Sequence, residues 1–283
     1  FGISEALLVR RLHQAGAKAA NMGARLFGFG MYASCGRETA KNLAKKIPVP
    51  IITGEAFGIA AALDGLRFAS VTKGLDLSAA HAAVIGAGEP VGSVFAELLA
   101  RETRTVCLTG NGWTELNKTA NRILYNSGTV ASVIQYLPTA LKHADIVVVD
   151  PYLRDFAGIE KFLKPNSIIC DISVEKFALN QIASVRDDIL LMEGGLIQLP
   201  ENIQAAWTSF LGNMDPNPSL AETVISAMVK KNKEFSVLTD LTVEKVVRIS
   251  KLAKKYGFSV SGFRRFTKKI HTLGRQKTAQ GLS

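Results

Sequence analysis

Three glycines follow a short apolar run with the spacing that dinucleotide-binding proteins use. The run is Ala82-Ala-Val-Ile, and Gly86, Gly88 and Gly92 come after it, before a helical pattern. The first glycine of such a loop permits the tight turn, the second lets the backbone approach a pyrophosphate, and the third lets helix and strand pack closely. The helix N-terminus, which includes Ser93, would then present N–H groups to the phosphates. The motif predicts a dinucleotide site.

Two neighbours of the loop affect the choice of cofactor. Glu89 lies where the loop meets the helix, so its carboxylate would repel a pyrophosphate unless it points to solvent or favours the helix dipole. The next strand ends without the acid that binds a ribose 2′-hydroxyl or an Arg for a 2′-phosphate. Thr109, Asn111 and Lys118 remain to hold a 2′-phosphate. The sequence therefore favours NADP(H) over NAD(H).

Other polar residues are candidates for work on a substrate. Asp171 ends a predicted strand and Lys176 follows it, at the edge where α/β folds bind ligands. They would orient and protonate a carbonyl, and the alternative is a pair of solvated loop charges. Cys35, in a turn-like stretch, is a candidate nucleophile. The histidines and cysteines lack ligand spacing, so no metal site is predicted.

Short apolar runs alternate with helical patterns between residues 79 and 200, which indicates a parallel sheet covered on both faces. The predicted strands are 82–85, 105–108, 130–134, 146–149, 167–170 and 189–192. The predicted helices between them are 92–101, 113–124, 138–142 and 159–163.

The regions before and after this sheet show a different pattern of predicted helices and strands. Before the sheet, helices are predicted at 4–24, 38–46 and 55–73, with a brief strand at 49–53. After it, only helices are predicted, at 203–211, 220–231 and 242–256. The predicted fold is therefore α/β: an N-terminal α/β substrate region (1–78), a Rossmann-type doubly wound parallel sheet (79–200), and a helical C-terminal part with a basic tail (201–283). Because the chain opens on Phe1, a truncated upstream segment is expected.

The net charge of +10 is unevenly distributed, since 14 of the 34 Lys and Arg residues follow residue 229. The aromatic residues of this region interleave poorly with its charges and no DNA-binding motif is present, which argues against sequence-specific nucleic-acid binding. An electrostatic docking surface for an acidic partner is expected around Lys254, Lys255, Arg264 and Arg265. A solvated surface and peripheral contact with a membrane are the alternatives. No apolar run reaches the roughly 18 residues of a transmembrane segment, and the odd cysteine count without a secretory signal predicts a cytoplasmic protein.

Over nearly its whole length the chain resembles the cyanobacterial long-chain fatty acyl-[acyl-carrier-protein] reductases. The family's Thr-Thr-Gly resembles Ile52-Thr53-Gly54, its glycine loop ends in the same Gly92-Ser93 pair, and Asp171 stands where the family has Asp-Gly-Gly. Its Asn-Gly-Gly-Val segment resembles Glu193-Gly194-Gly195-Leu196. Two C-terminal segments also match, at Thr242-Val-Glu-Lys245 and Tyr256-Gly-Phe258.

The resemblance implies an NADPH-dependent enzyme that reduces an acyl thioester, or a carbonyl compound derived from one, in making fatty aldehydes. An acidic acyl-carrier protein would then be the partner. The residues it assigns to substrate are Thr53, Gly54 and Glu55, and those it adds to the cofactor site are Gly194 and Gly195. Cys35 is a candidate replacement nucleophile because of its thiol, not because of the resemblance.

The family's nucleophile is replaced. Its Cys-Phe-Ala-Glu segment resembles Ser219-Leu-Ala-Glu222, so Ser219 stands where the family forms an acyl-thioester on cysteine. A hydroxyl is a much poorer nucleophile than a thiolate unless a base adjoins it. Two other functions therefore stay open: a non-catalytic acyl- or partner-binding module on the same fold, and a small-molecule dehydrogenase of the shikimate or amino-acid type.

Overall fold

The structure is a computed structural model, and it describes residues 5–28, 37–150, 158–172, 177–212, 216–229 and 240–266. The strands are β1 (Phe27–Gly28), β2 (Ile51–Ile52), β3 (His81–Ile85), β4 (Thr105–Thr109), β5 (Ala131–Val133), β6 (Ile146–Val149), β7 (Ile168–Asp171), β8 (Leu190–Gln198) and β9 (Ser259–Arg265). The helices are α1 (Glu5–Asn21), α2 (Arg37–Ala44), α3 (Glu55–Lys73), α4 (Pro90–Leu99), α5 (Trp113–Ser127), α6 (Leu137–Leu141), α7 (Phe177–Ala183), α8 (Glu201–Leu211), α9 (Pro218–Met228) and α10 (Val243–Lys255).

The main sheet has the strand order β5-β4-β3-β6-β7-β8-β9. Every neighbouring pair is parallel except β8 and β9. The order reverses between β3 and β6, which makes that gap the switch point where open α/β sheets bind ligands. The predicted Rossmann-type fold is confirmed.

The strands of this sheet bury side chains on both faces. Along β6, Ile146 and Val148 join one hydrophobic cluster, whereas Val147 and Val149 join another. The first cluster lies under α3, α4, α5, α9 and α10, and the second lies under α6 and α7. Residues that alternate between two covered faces are typical of a doubly wound sheet.

Helix α3 is the element that connects the sheet to the C-terminal helices. It is rich in alanine and buried around most of its circumference, against β8, β9, α9 and α10. It ends at Lys73, a short connection before β3 begins. Its C-terminus therefore lies near the amino edge of the sheet, and its N-terminus near the carboxyl edge.

The C-terminal region is not helical throughout, so that part of the prediction is wrong. Gly257, with φ of +82°, follows α10, and the chain then returns to the sheet as β9. Strand β9 pairs antiparallel with β8, which runs six residues beyond its predicted end at 192 because its second half has this partner. Lys254 and Lys255 are exposed in the last turn of α10, while Arg264 and Arg265 belong to β9. The docking surface itself stays a prediction.

Two smaller differences concern the second half of the sheet. The predicted helix at 159–163 is a short 3-10 turn at Ile159–Lys161, and α7 was not predicted. Among the described helices, none is both long and apolar enough to span a membrane.

Candidate functional site

The glycine loop forms the strand–turn–helix that its spacing predicts. Gly86 has φ of +85°, and a Cβ on it would lie 2.4 Å from the Asp150 Cβ. A Cβ on Gly92 would lie 2.3 Å from the Gly86 carbonyl oxygen. A Cβ on Gly88 would lie 2.9 Å from the Asn111 carbonyl oxygen. Each glycine is therefore required by a close approach within the fold, whether or not a ligand binds.

The hydrogen bonds of the loop determine which N–H groups remain for a ligand. Glu89 donates its N–H to the Gly86 carbonyl oxygen at 2.9 Å, and Pro90 has no N–H. The Gly92 N–H donates to Oδ2 of Asp150 at 2.7 Å. Within the described part of the chain, the N–H groups of Gly88 and Val91 make no hydrogen bond. The anion-binding end of α4 therefore keeps two donors.

Asp150 is a site residue that the sequence analysis missed. It follows β6 directly, is fully buried, and lies at the switch point beside Gly86. Its carboxylate occupies the place at the N-terminus of α4 that a ligand anion would favour. The available signal was its position directly after the apolar run of β6.

The predicted adenosine end of the site contains one unusual hydroxyl. Thr109 is fully buried at the end of β4, and its Oγ1 makes no hydrogen bond among the described residues. Such orphaned polar atoms are rare and costly, so this one fits a ligand contact. Asn111 is exposed, and Lys118 pairs with Glu115 at 2.7 Å. Because the Lys118 charge is already paired with the Glu115 carboxylate, its role in holding a 2′-phosphate stays a prediction, and so does the preference for NADP(H).

The remaining predicted residues beside the glycine loop differ in their exposure. Glu89 is exposed and its side chain makes no capping hydrogen bond, while Ser93 is buried and donates to the Pro90 carbonyl oxygen at 3.2 Å. Asp171 is fully buried at the end of β7, where it pairs in register with Val149. The Asp171 and Asp150 backbones therefore leave the sheet from adjacent strands.

Lys176 and Cys35 lie outside the described residues. Gly194, with φ of +104°, and Gly195 lie in β8 under α3. A Cβ on Gly195 would lie 2.0 Å from the Ala61 carbonyl oxygen. Close packing of helix on strand accounts for glycine at position 195, and a cofactor role for the pair stays a prediction.

A second cluster forms where α9 meets the N-terminus of α3. Gly54 is the N-cap of α3, with φ of +78°. A Cβ on Gly54 would lie 2.0 Å from the Ser219 Cα and 2.7 Å from the Ser219 Oγ. The structure therefore brings Ser219 against Gly54, one of the residues that the resemblance assigns to substrate. Thr53 and Glu55 are half-buried there.

Glu222 completes this cluster, and the sequence analysis gave it no role. It lies one helical turn after Ser219, and its side chain is buried. Its Oε2 accepts the N–H of Phe57, in the first turn of α3, at 2.7 Å. Burial, together with the nearby charge of Glu55, raises the pKa of Glu222 to about 8, although the Phe57 hydrogen bond opposes the shift. Burial therefore favours the neutral form of this carboxyl.

Helix α3 contacts Ser219 at its N-terminal end and β8 nearer its middle. Ala61, whose carbonyl oxygen lies against Gly195, comes two helical turns after Gly54, a rise of about 10 Å. The Gly54–Ser219 contact therefore lies roughly that far along α3 from the Ala61–Gly195 contact.

No protein-family model matches the chain. A sequence relative, Aminotransferase PigE of Serratia sp. (strain ATCC 39006), is 24% identical over 253 residues, which are 84% of this chain and 28% of that protein. Among solved structures, L-tryptophan dehydrogenase from Nostoc punctiforme is similar with a TM-score of 0.47 and 14% identity, over 90% of this chain and 68% of that one. Quinate dehydrogenase from Corynebacterium glutamicum in complex with NAD gives 0.41 and 12%, over 86% and 82%. The chain spans little more than a quarter of the length of PigE.

Proposed function

We propose that the chain is a nicotinamide-dependent reductase, with NADP(H) preferred over NAD(H). The observation that carries the proposal is the glycine loop 86–92, placed at the switch point between β3 and β6. Ligands of open α/β sheets bind in that crevice, with their phosphates at the helix N-terminus. The substrate proposed is an acyl thioester or a carbonyl compound derived from one, which the resemblance to fatty acyl-carrier-protein reductases supports.

The described residues fit a dinucleotide at this loop. The free N–H groups of Gly88 and Val91 would hold the pyrophosphate, and the unused Thr109 hydroxyl would bind the adenosine half. The chemistry that a bound nicotinamide supplies is a hydride at a carbonyl carbon. The Ser219 Oγ makes no hydrogen bond in the described part of the chain, so it is available to donate to the carbonyl oxygen of the substrate.

A second function is favoured by a specific observation. The α4 N-terminus begins with Pro90, and its Gly92 N–H is already bonded to Asp150. A loop with fewer free donors and a buried carboxylate binds a pyrophosphate less tightly than an open one. The alternative is therefore a module on the same fold that binds an acyl group or a partner without catalysis.

A cofactor titration tests the proposal. We expect purified protein to bind NADPH more tightly than NADH in a titration that is monitored by nicotinamide fluorescence. We also expect it to oxidise NADPH when octanoyl-CoA or octanal is added. Gly92→Ala should abolish binding, because its Cβ would lie 2.3 Å from the Gly86 carbonyl oxygen. Gly128→Ala is the control, because nothing lies within 4 Å of its Cβ and its cost is limited to the strain of its φ of +71°. Absence of binding contradicts the reductase proposal, and binding without turnover favours the binding module.

The carboxylate at the switch point gives a further prediction. Asp150→Asn keeps an oxygen that accepts the Gly92 N–H but removes a negative charge beside the pyrophosphate position. We expect NADPH affinity to rise by roughly tenfold, equivalent to about 1.4 kcal/mol. Glu89→Gln, which removes an exposed charge at the same loop, should have a smaller effect because solvent screens it. Equal effects would show that Asp150 lies away from the bound phosphates.

A further inference from the structure

The main sheet has an open edge at β5. This strand ends the strand order, and β4 is its one strand neighbour within the described part of the chain. The Ile134 N–H donates to the Leu108 carbonyl oxygen at 3.0 Å, so the backbone of Ile134 faces β4. Because successive residues of a strand direct their backbone groups to opposite sides, Ser132 also faces β4. Ala131 and Val133 therefore direct their N–H and C=O groups outward, toward the place of a further strand.

The segment that carries β5 lacks the features that usually protect a strand edge. Charged side chains, proline and bulges keep such edges from pairing with another chain. Residues 123–141 include no Asp, Glu, Lys, Arg or His, Pro138 lies outside the strand, and the register with β4 is uninterrupted. The opposite edge strand, β9, differs because it ends in Arg264 and Arg265. The β5 edge is therefore protected only by its short length.

Large apolar side chains are exposed around this edge. Tyr125, in the last turn of α5, is 91% exposed, and Val130, directly before β5, is 75% exposed. Tyr136, which precedes α6 just after β5, is 69% exposed. Single exposed apolar residues are ordinary in monomeric proteins. A group of them around an open strand is typical of an interaction surface.

The charge of the molecule favours a second copy of the chain as the partner. The net charge is +10, so two copies repel each other wherever their basic surfaces meet. Arg122, the last charged residue before the segment, is already paired with Glu97 at 2.7 Å. Two equally charged chains can therefore meet at the β5 edge without bringing like charges together. A strongly charged partner, by contrast, would find no complementary charge within residues 123–141.

We propose that two copies of the chain associate through their β5 edges, in antiparallel register about a two-fold axis at Ser132. Ala131 of each copy then pairs with Val133 of the other, which uses every outward-directed backbone group of the strand. The beginning of each strand lies beside the end of the other, so the exposed Val130 of one copy approaches the Tyr136 end of its partner. Because a strand of three residues offers few hydrogen bonds, burial of the apolar side chains supplies most of the stabilisation.

Sedimentation equilibrium of the purified chain tests the association. We expect the mass of two chains at micromolar concentration. Val130→Lys combined with Tyr136→Lys should raise the Kd of the dimer by roughly a hundredfold, because each copy would bring two unpaired charges into the interface. Val71→Lys is the matched control and should leave the Kd unchanged, since Val71 is 80% exposed on α3, a helix that packs against β8 and β9. Circular dichroism confirms that each variant is folded.

Two outcomes of this experiment contradict the proposal. A wild-type chain that sediments as a monomer overturns it and leaves a different protein as the occupant of the edge. A double-lysine variant that remains a dimer with the wild-type Kd overturns it as well, because the copies would then meet at another surface.

A disulfide cross-link tests the register independently. In the proposed pairing Ser132 lies opposite Ser132 of the other copy in a non-hydrogen-bonded pair, whose Cα atoms are about 4.5 Å apart, within the range of a disulfide. Cys107 is the neighbour of Ser132 across β4 and β5, so it is replaced first. We expect Cys107→Ser/Ser132→Cys to form a covalent dimer under oxidising conditions and Cys107→Ser alone to form none. A double variant that sediments as a dimer but does not cross-link overturns the pairing about Ser132.

Discussion

Gly54→Ala is expected to lower the free energy of unfolding by roughly 3 kcal/mol. Part of the loss is strain, since φ at Gly54 is +78° and an L-residue there costs about 1 kcal/mol. The larger part is steric, because the new Cβ would lie 2.0 Å from the Ser219 Cα, a backbone atom that moves only with α9. Urea denaturation followed by circular dichroism measures the loss as a lower midpoint.

Gly74→Ala is the matched control for this substitution. Gly74 lies at the other end of α3, with φ of +66° and nothing within 4 Å of its Cβ. We expect it to cost about 1 kcal/mol, the strain alone. If the two variants lose equal stability, the contact between Gly54 and Ser219 does not fix α9 on α3.

Glu222→Gln is expected to stabilise the protein at pH 8 and to leave it nearly unchanged at pH 4. The folded state holds the Glu222 proton up to about pH 8, whereas the unfolded chain releases it near 4.5. Since the folded state binds more protons in that window, wild-type stability is lost as the pH rises through it. At about 1.4 kcal/mol for each pH unit, the difference approaches roughly 4 kcal/mol.

Unfolding of both proteins by urea at several pH values measures this difference. Glu97→Gln should instead destabilise the protein at neutral pH, because it breaks the ion pair with Arg122. A Glu222→Gln stability difference that stays constant with pH would mean that Glu222 is ionised in the folded state.

The glycine loop and its strands were predictable because their determinants are local. Gly86 must end β3 at a tight turn, and the run 146–149 is apolar at every position, so both are readable without knowledge of distant contacts. Strand β9 was not readable in this way. Its conformation depends on pairing with β8. From the sequence, its two arginines were assigned to an electrostatic docking surface and no strand was predicted there.

The acids of the candidate site show the same limit. Asp150 looks like the first residue of a loop, and Glu222 like a solvated acid on a helix, until burial is known. The contact between Gly54 and Ser219 was not predicted, since the two positions lie far apart in the chain. Composition and spacing predict where a backbone turns, whereas the protonation state of a side chain depends on what packs around it.

The antiparallel strand β9 has a consequence for the order in which the chain folds. Ile197 pairs with Val260, so roughly 60 residues must be synthesised after β8 before its outer edge has a partner. At about 5–20 residues synthesised per second, the outer edge of β8 has no paired strand for several seconds. Unpaired strand edges pair with other chains. The newly made protein is therefore exposed to aggregation through the edge of β8 until β9 pairs with it.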